Sequence, residues 1–384
     1  MKPPPLSLYV HLPWCVRKCP YCDFNSHSGG VDAPRERYLD ALLLDLAQEG
    51  NRAAGRRIET VFLGGGTPSL FSPREIARLL SGIRGSFEVA DAAEITMEAN
   101  PGTVDCASPA AYREAGVTRL SIGAQSLNDV ALERLGRIHK RGDVIRVAEE
   151  CRAAGFDSFN IDLMHGLPGQ SVRQALDDVQ AVIELRPPHL SWYQLTLEPN
   201  TVFFARPPQD LPTEDTTHEI QEQGARLLAD AGYYQYEVSA FARDGEVCRH
   251  NVNYWLFGDY LAAGAGAHGK LTTEDGIYRY RKPANPQQYM MAMEAGGVEV
   301  TMNPVPGNEL LFEFMLNALR LSDGFDEGLF AERTGLDTRQ LEDAMRPALE
   351  KALVARGAES RWRPTDLGRR FLNDLQASFL PGDG

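Results

Sequence analysis

Alternation between short β-rich runs and longer amphipathic stretches dominates the first two hundred residues, and it leaves few folds open. The β-rich runs are Leu6–Leu12, Thr60–Leu63, Glu94–Glu98, Arg119–Ile122, Ser158–Asp162 and Leu190–Thr196. Amphipathic stretches separate them at Pro34–Gln48, Pro73–Ile83, Ala107–Ala115, Asp143–Ala154 and Val172–Leu185, and Gly116 and Gly155 sit where helix C-caps fall. Strand–helix alternation of this kind predicts parallel strands joined by crossover helices. The expected class is α/β, with six such units before residue 200. A parallel barrel, complete or partial, places its chemistry at the C-terminal ends of its strands. Cys15 follows the first run, Gly64-Gly65-Gly66-Thr67 the second, Glu98 ends the third, Gln125 lies just past the fourth and Asp162 ends the fifth. An open doubly wound sheet would gather its site at one switch point rather than over five strands, so a barrel is the better reading.

After residue 205 the pattern changes. Glu214–Ala231 predicts a helix and Tyr234–Phe241 a strand, and Arg249–Gly269 reads as an irregular, aromatic, glycine-rich stretch. Pro304-Val305-Pro306-Gly307 makes a linker. Beyond it the chain is mainly helical with a hairpin-like end at Ala355–Pro364, as in a winged helix. The expected division is therefore 1–205, 206–304 and 305–384. Residues 305–384 carry 10 Arg and Lys against 14 Asp and Glu, and the whole chain has net charge −14. Nucleic-acid binding needs basic surface to displace counterions, so the tail is expected to pack or dock instead. No run approaches the ~18 apolar residues of a membrane span, and no signal peptide stands out. A cytoplasmic location is expected, where thiols stay reduced.

Of six cysteines, Cys106, Cys151 and Cys248 are dispersed, whereas Cys15, Cys19 and Cys22 crowd into eight residues as C-x3-C-x2-C. Three thiolates on one tight loop suit three corners of a cubane iron–sulfur cluster, whose fourth iron would stay open to a small molecule. A zinc site with His11 or His27 as fourth ligand is the alternative. It lacks the second cysteine knuckle that such sites usually carry.

The cysteine run, with Tyr9 before it and Tyr21 inside it, resembles the radical S-adenosylmethionine (SAM) signature, and Gly64–Pro68 resembles that superfamily's SAM-methionine loop. His11–Cys15, Gly64–Ser69, Met97–Thr103, Ile161–Pro168 and His250-Asn251-Val252-Asn253-Tyr254-Trp255 together resemble the HemW haem chaperones, relatives of oxygen-independent coproporphyrinogen III oxidase. The resemblance covers essentially the whole chain. It implies a partial (β/α)6 radical-SAM barrel with a mainly helical, winged-helix-like C-terminal domain. It further implies a 4Fe–4S cluster on Cys15, Cys19 and Cys22, and SAM contacts from Tyr9, Tyr21, Gly65, Gly66, Thr67, Glu98, Gln125, Arg137 and Asp162. Glycines allow close backbone approach to a ligand, Glu98 can accept from the SAM amino group, Arg137 can fork onto its carboxylate, and Asp162 suits a ribose hydroxyl.

Two departures separate the chain from the oxidase. Phe24 stands where those relatives carry a fourth cysteine, and only eight residues precede Tyr9 where they carry a longer segment. Haem trafficking is therefore expected, with delivery to apo-haemoproteins such as membrane-bound respiratory enzymes, a homodimer, and attachment at the inner-membrane periphery. Oxygen-independent coproporphyrinogen III dehydrogenation is the alternative. His250 leads as haem ligand through the resemblance, although one histidine beside two aromatics is more often a loop or core residue. Cys248 and His268 are the other candidates.

Overall fold

A computed structural model describes residues 2–102, 107–243 and 245–381. Thr103, which ends one of the motifs above, and Cys106 lie outside the described residues. The six β-rich runs form strands β1 (Leu6–Leu12), β2 (Ile58–Gly65), β3 (Val89–Ala99), β4 (Arg119–Gln125), β5 (Ser158–His165) and β6 (His189–Gln194). They pair in parallel, in chain order. Helices Arg35–Ala53, Pro73–Ser86, Pro109–Glu114, Arg141–Ala153 and Val172–Leu185 carry the crossovers, and Asp129–Arg134 adds a short turn of helix. Two of these starts are strongly written. Ser72 and Ser171 each close a capping box, with Glu75 and Gln174, a device worth about 1 kcal/mol per helix.

Each strand has two unlike faces. Leu8, Val10, Val61, Leu63, Ile95, Met97, Leu120, Ile122, Phe159, Ile161 and Leu190 point outward into one core with helix residues such as Leu42, Leu79 and Val179. Side chains alternate across a strand, so the other face carries Ser7, Tyr9, Thr60, Glu98, Ser121, Asn160, Asp162, Ser191 and Tyr193. A barrel lumen is ordinarily filled by branched apolar side chains; this one is polar. Many of its groups satisfy one another, as buried polar groups usually do, although Thr96 Oγ1 and Arg119 Nε have no partner among the described residues. Thr60 Oγ1 donates to Ser7 Oγ at 2.8 Å, Asn160 Nδ2 to Ser121 Oγ at 2.7 Å, and His189 Nδ1 meets Asn160 Oδ1 at 2.7 Å.

The barrel is open, and residues 206–304 extend it at both edges. Asp259–Ala263 pairs in parallel with β1 as a seventh parallel strand, followed by antiparallel His268–Thr272, Ile277–Arg281 and Asn303–Pro304. At the far edge Ala240–Ala242 runs antiparallel to β6 and to Tyr234–Glu237. The result is one 12-stranded sheet. Tyr234–Phe241, expected as one strand, is thus two strands broken at Val238–Ser239. The stretch Arg249–Gly269, expected to be irregular, holds helix Arg249–Trp255 and strand Asp259–Ala263. That helix has seven residues and no side-chain cap, and it rests on the polar lumen, so it shows neither capping signal nor apolar periodicity. The extension is pinned by a buried charge network. Lys282 Nζ meets Asp45 at 2.6 Å and Glu49 at 2.7 Å, with all three side chains fully buried.

The C-terminal region carries helices Gly307–Ala318, Glu327–Thr334, Thr338–Glu350, Asp366–Arg370 and Leu372–Ala377 beside a three-stranded sheet. Val354–Arg356 and Arg361–Pro364 form the expected hairpin. Phe314, Phe330, Leu341, Met345 and Trp362 build its core, and Phe257 from the extension inserts into it.

Candidate functional site: the open rim of the barrel

The cysteine loop leaves β1 and folds over the strand ends. A short parallel bridge, Trp14–Cys15 with His27–Ser28, closes its base. Gly66 N donates to Leu12 O and Thr67 N to Trp14 O, both at 2.8 Å, tying the glycine loop after β2 to it. The glycines have a reason within the protein. A Cβ on Gly65, whose φ is +122°, would lie 2.6 Å from the His11 ring, and one on Gly66 would lie 2.6 Å from Trp14 O. Approach of the loop to β1, rather than to a ligand alone, therefore requires them.

Each of the three sulfurs faces a hydroxyl or a guanidinium. Thr67 Oγ1 donates to Cys15 Sγ at 3.5 Å, Arg137 Nη1 donates to Cys19 Sγ at 3.7 Å, and Cys22 Sγ lies 3.7 Å from Ser26 Oγ. Burial pushes the Cys15 and Cys22 thiols up, and the hydroxyls partly offset it. Loss of these protons is favoured once a cation or cluster binds. His11 and His27, the candidate fourth zinc ligands, are engaged elsewhere. His11 Nε2 donates to Asn25 O at 2.8 Å, which leaves Nδ1 to accept from Tyr9 OH at 3.0 Å, and His27 Nε2 donates to Asn25 Oδ1 at 3.0 Å. Among the described residues, no three His, Cys, Asp or Glu side chains converge as the ligands of a single ion do. A cubane spreads its thiolates over three irons and needs no such convergence.

Beside the cysteines the lumen presents two poles. Glu98 accepts from Gly65 N at 3.0 Å. Burial pushes its carboxyl up to about 7, Asp162 adds to the rise, and the Gly65 amide opposes it. Asp162 accepts from Asn160 at 2.7 Å and Ser121 at 3.2 Å; burial raises it too, against these bonds. Opposite stands the donor pair Arg137 and Gln125. Arg137 Nη2 donates to Gly123 O at 2.7 Å and its buried Nε has no partner among the described residues. Tyr193 OH donates to Gln125 Oε1 at 2.7 Å, which leaves the Gln125 amide as donor. A Cβ at Gly123 would sit 3.1 Å from Gln125 Nε2 and 3.4 Å from Arg137 Nη2, so its absence gives both donors room to converge. Gln125 itself adopts φ +67°, at a register shift between β4 and β5, a strained backbone of the kind found at functional sites. Tyr21 packs on Phe203, ring centres 6.4 Å apart.

Tyr9, Gly65 and Glu98 open into a cleft of about 580 Å³ whose other wall is Tyr254, Trp255, Tyr260 and His268. His250 does not face it. The imidazole is buried, with Nδ1 2.8 Å from Thr60 Oγ1 and Nε2 2.9 Å from Tyr254 OH. Thr60 gives its proton to Ser7, so His250 Nδ1–H donates to Thr60 and Nε2 accepts from Tyr254. Burial, reinforced by Arg119, lowers its pKa to about 3. The lead haem-ligand candidate of the sequence thus sits in the core position that its residue type alone favours; a motif fixes the residue's place in the chain, not the face its helix buries. Cys248 is also buried, against Glu94 Oε1 at 3.6 Å. The partners Ser121, Asn160, Ser191 and Tyr193 escaped the sequence reading. Their signal was polar residues at every second strand position.

An open parallel barrel with three cysteines at its rim defines a radical SAM protein. The description of the Radical SAM superfamily matches residues 9–182, and that of the HemN C-terminal domain matches residues 305–371. Curated relatives named Heme chaperone HemW match throughout. The Escherichia coli K12 protein is 48% identical over 385 residues and the Haemophilus influenzae protein 47% over 384, each match covering 99% of both chains. The chain belongs to the HemW family. Its fold matches the solved coproporphyrinogen III oxidase HemN of Escherichia coli, with TM-score 0.81 and 24% identity over 98% of this chain and 90% of that one.

Proposed function

We propose that this protein is a haem carrier with a resident 4Fe–4S cluster and a SAM site, which takes up haem and passes it to an apo-haemoprotein. The observation that carries the reading is the shared cleft, where the polar rim residues Tyr9, Gly65 and Glu98 face the aromatic wall of Tyr254, Trp255 and Tyr260. Such a cleft suits a flat apolar ring with a polar edge. The name Heme chaperone HemW given to the relatives agrees with it. Cys15, Cys19 and Cys22 would hold the cluster, which when bound supplies one-electron chemistry and an iron open to an amino acid. Glu98 takes the amino group, Arg137 and Gln125 take the carboxylate, and Asp162 takes a ribose hydroxyl, with Tyr9, Tyr21, Gly65, Gly66 and Thr67 shaping the walls. Val16 and Ile138 are exposed beside Cys19, and Val202 and Phe204 are exposed on a turn whose Phe203 amide bonds Pro20 O in the cysteine loop. We extend the proposal to that apolar border as the resting place of a client, including respiratory enzymes at a membrane, or of a second copy of the chain. No helix among the described residues is long and apolar enough to cross a membrane, so contact with a bilayer would be peripheral.

The test is transfer. Haem-loaded protein, reconstituted without oxygen, is mixed with apomyoglobin and followed by Soret absorbance. The proposal expects haem to bind and then move to the acceptor. Absence of haem binding, or conversion of coproporphyrinogen with SAM and reductant in place of transfer, overturns it.

A further inference from the structure

We propose that His268 is the axial ligand of the haem iron, and that its strand partner Arg281 receives a propionate. This deepens the carrier reading and rests on it. Of the other nearby histidines, His11 and the inward-facing His250 have both ring nitrogens engaged, and His27, which lines the adjoining cleft, has its Nε2 bonded to Asn25 Oδ1. Cys248, the candidate thiolate, is buried against a carboxylate, and burial pushes its thiol up to about 12. His268 is exposed at the start of its strand. It lines both the 580 Å³ cleft and an adjoining one of about 870 Å³, and Phe24 and Asn25 line both as well. The two clefts are thus continuous past His268.

The surroundings supply what a haem needs beyond its iron. His268 and Arg281 are register partners across an antiparallel pair, so their side chains share a face. Arg281 is exposed and has no carboxylate partner among the described residues, whereas Arg279 is held by Tyr260 and Glu313. Lys18, at the mouth of the second cleft, donates to a backbone oxygen, Phe24 O at 3.1 Å, and has no carboxylate partner among the described residues. Two available cations beside one imidazole match a ring with two carboxylates on one edge. Phe24 is 59% exposed, a cost without a partner and a stacking face with one. Partial burial, then Arg281 and Arg279, lower the proton affinity of His268. A neutral imidazole would offer its ring nitrogen to the iron, with no change of oxidation state. An exposed ligand at a cleft mouth also permits release, which a carrier requires.

The experiment titrates ferric haem into wild-type protein, His268→Ala and His250→Gln, reading Soret position and magnetic circular dichroism. Wild type is expected to show an imidazole-ligated spectrum and His250→Gln to keep it. His268→Ala is expected to lose it, with affinity falling about tenfold or more, and added free imidazole to restore it. Arg281→Ala is expected to weaken binding while leaving the ligand signature in place. A wild-type spectrum that persists in His268→Ala overturns the assignment and leaves the carrier reading standing. Failure of the wild type to bind haem overturns both.

Discussion

Glu98 couples proton, ligand and fold at one carboxyl. Its pKa of about 7 lies above the usual range for an unfolded glutamate, so the folded state holds a proton that the unfolded state has lost. Stability from this group is therefore present at low pH and is lost as pH rises to about 7. A cationic amino group needs the opposite form. SAM affinity should rise with pH, by nearly tenfold per unit below pH 7, and level off above it. Calorimetric titration from pH 5.5 to 8.5 checks this. Glu98→Gln should flatten the profile, lower affinity at pH 8, and raise the melting temperature at pH 8 more than at pH 5. A wild-type affinity that does not change with pH would remove Glu98 as the amino-group partner. Such rim residues were legible in the sequence because each falls where a strand ends. His250 was readable only as a motif. Its burial depends on which face of a seven-residue helix meets Thr60 and Phe62, and no residue of that helix announces it.

The glycine loop is where an element's sequence and its packing meet. Gly66→Ala would press a methyl group onto the Trp14 carbonyl, and the loop cannot move without breaking the Thr67 amide bond to the same oxygen. Overpacking of this kind costs about 1–3 kcal/mol. The midpoint of urea unfolding should fall accordingly, and cluster loading should drop because Thr67 faces Cys15. A variant with unchanged midpoint and full iron content would show that the loop is not held as described. The six parallel strands and five of their helices were legible from alternation and capping. The strand Asp259–Ala263 was not, because five residues ending in a glycine-rich turn give too short a pattern, and its pairing with β1 spans some 250 residues of chain. The polar lumen was visible at every second position, yet a strand read alone does not say which face is enclosed.

At the scale of the whole molecule, the wall of the cleft is held from outside. Arg320, in the C-terminal region, pairs with the buried Glu237 at 3.0 Å and lies over the Trp255 ring at 4.3 Å. Phe257, with φ +56°, packs on Phe314 with ring centres 5.7 Å apart. Arg320→Ala leaves a buried carboxylate without its cation, a loss of about 3–5 kcal/mol. Hydrogen exchange should quicken in residues 249–258 while β1–β5 stay protected. Uniform quickening would mean that the tail stabilises the molecule without specifically bracing this wall. The mainly helical character of the chain beyond the Pro304–Gly307 linker was readable from its composition. Its grip on the aromatic wall was not, since it rests on two side chains distant in sequence. All of this presupposes that Cys15, Cys19 and Cys22 carry a cluster with one iron left for SAM. The most direct measurement is electron paramagnetic resonance of the reduced, anaerobically reconstituted protein with and without SAM, alongside iron and sulfide analysis. The account predicts about four irons and four sulfides per chain, a signal that SAM perturbs, and loss of both in Cys19→Ala. Stoichiometric zinc without sulfide, or a cluster signal indifferent to SAM, would contradict it.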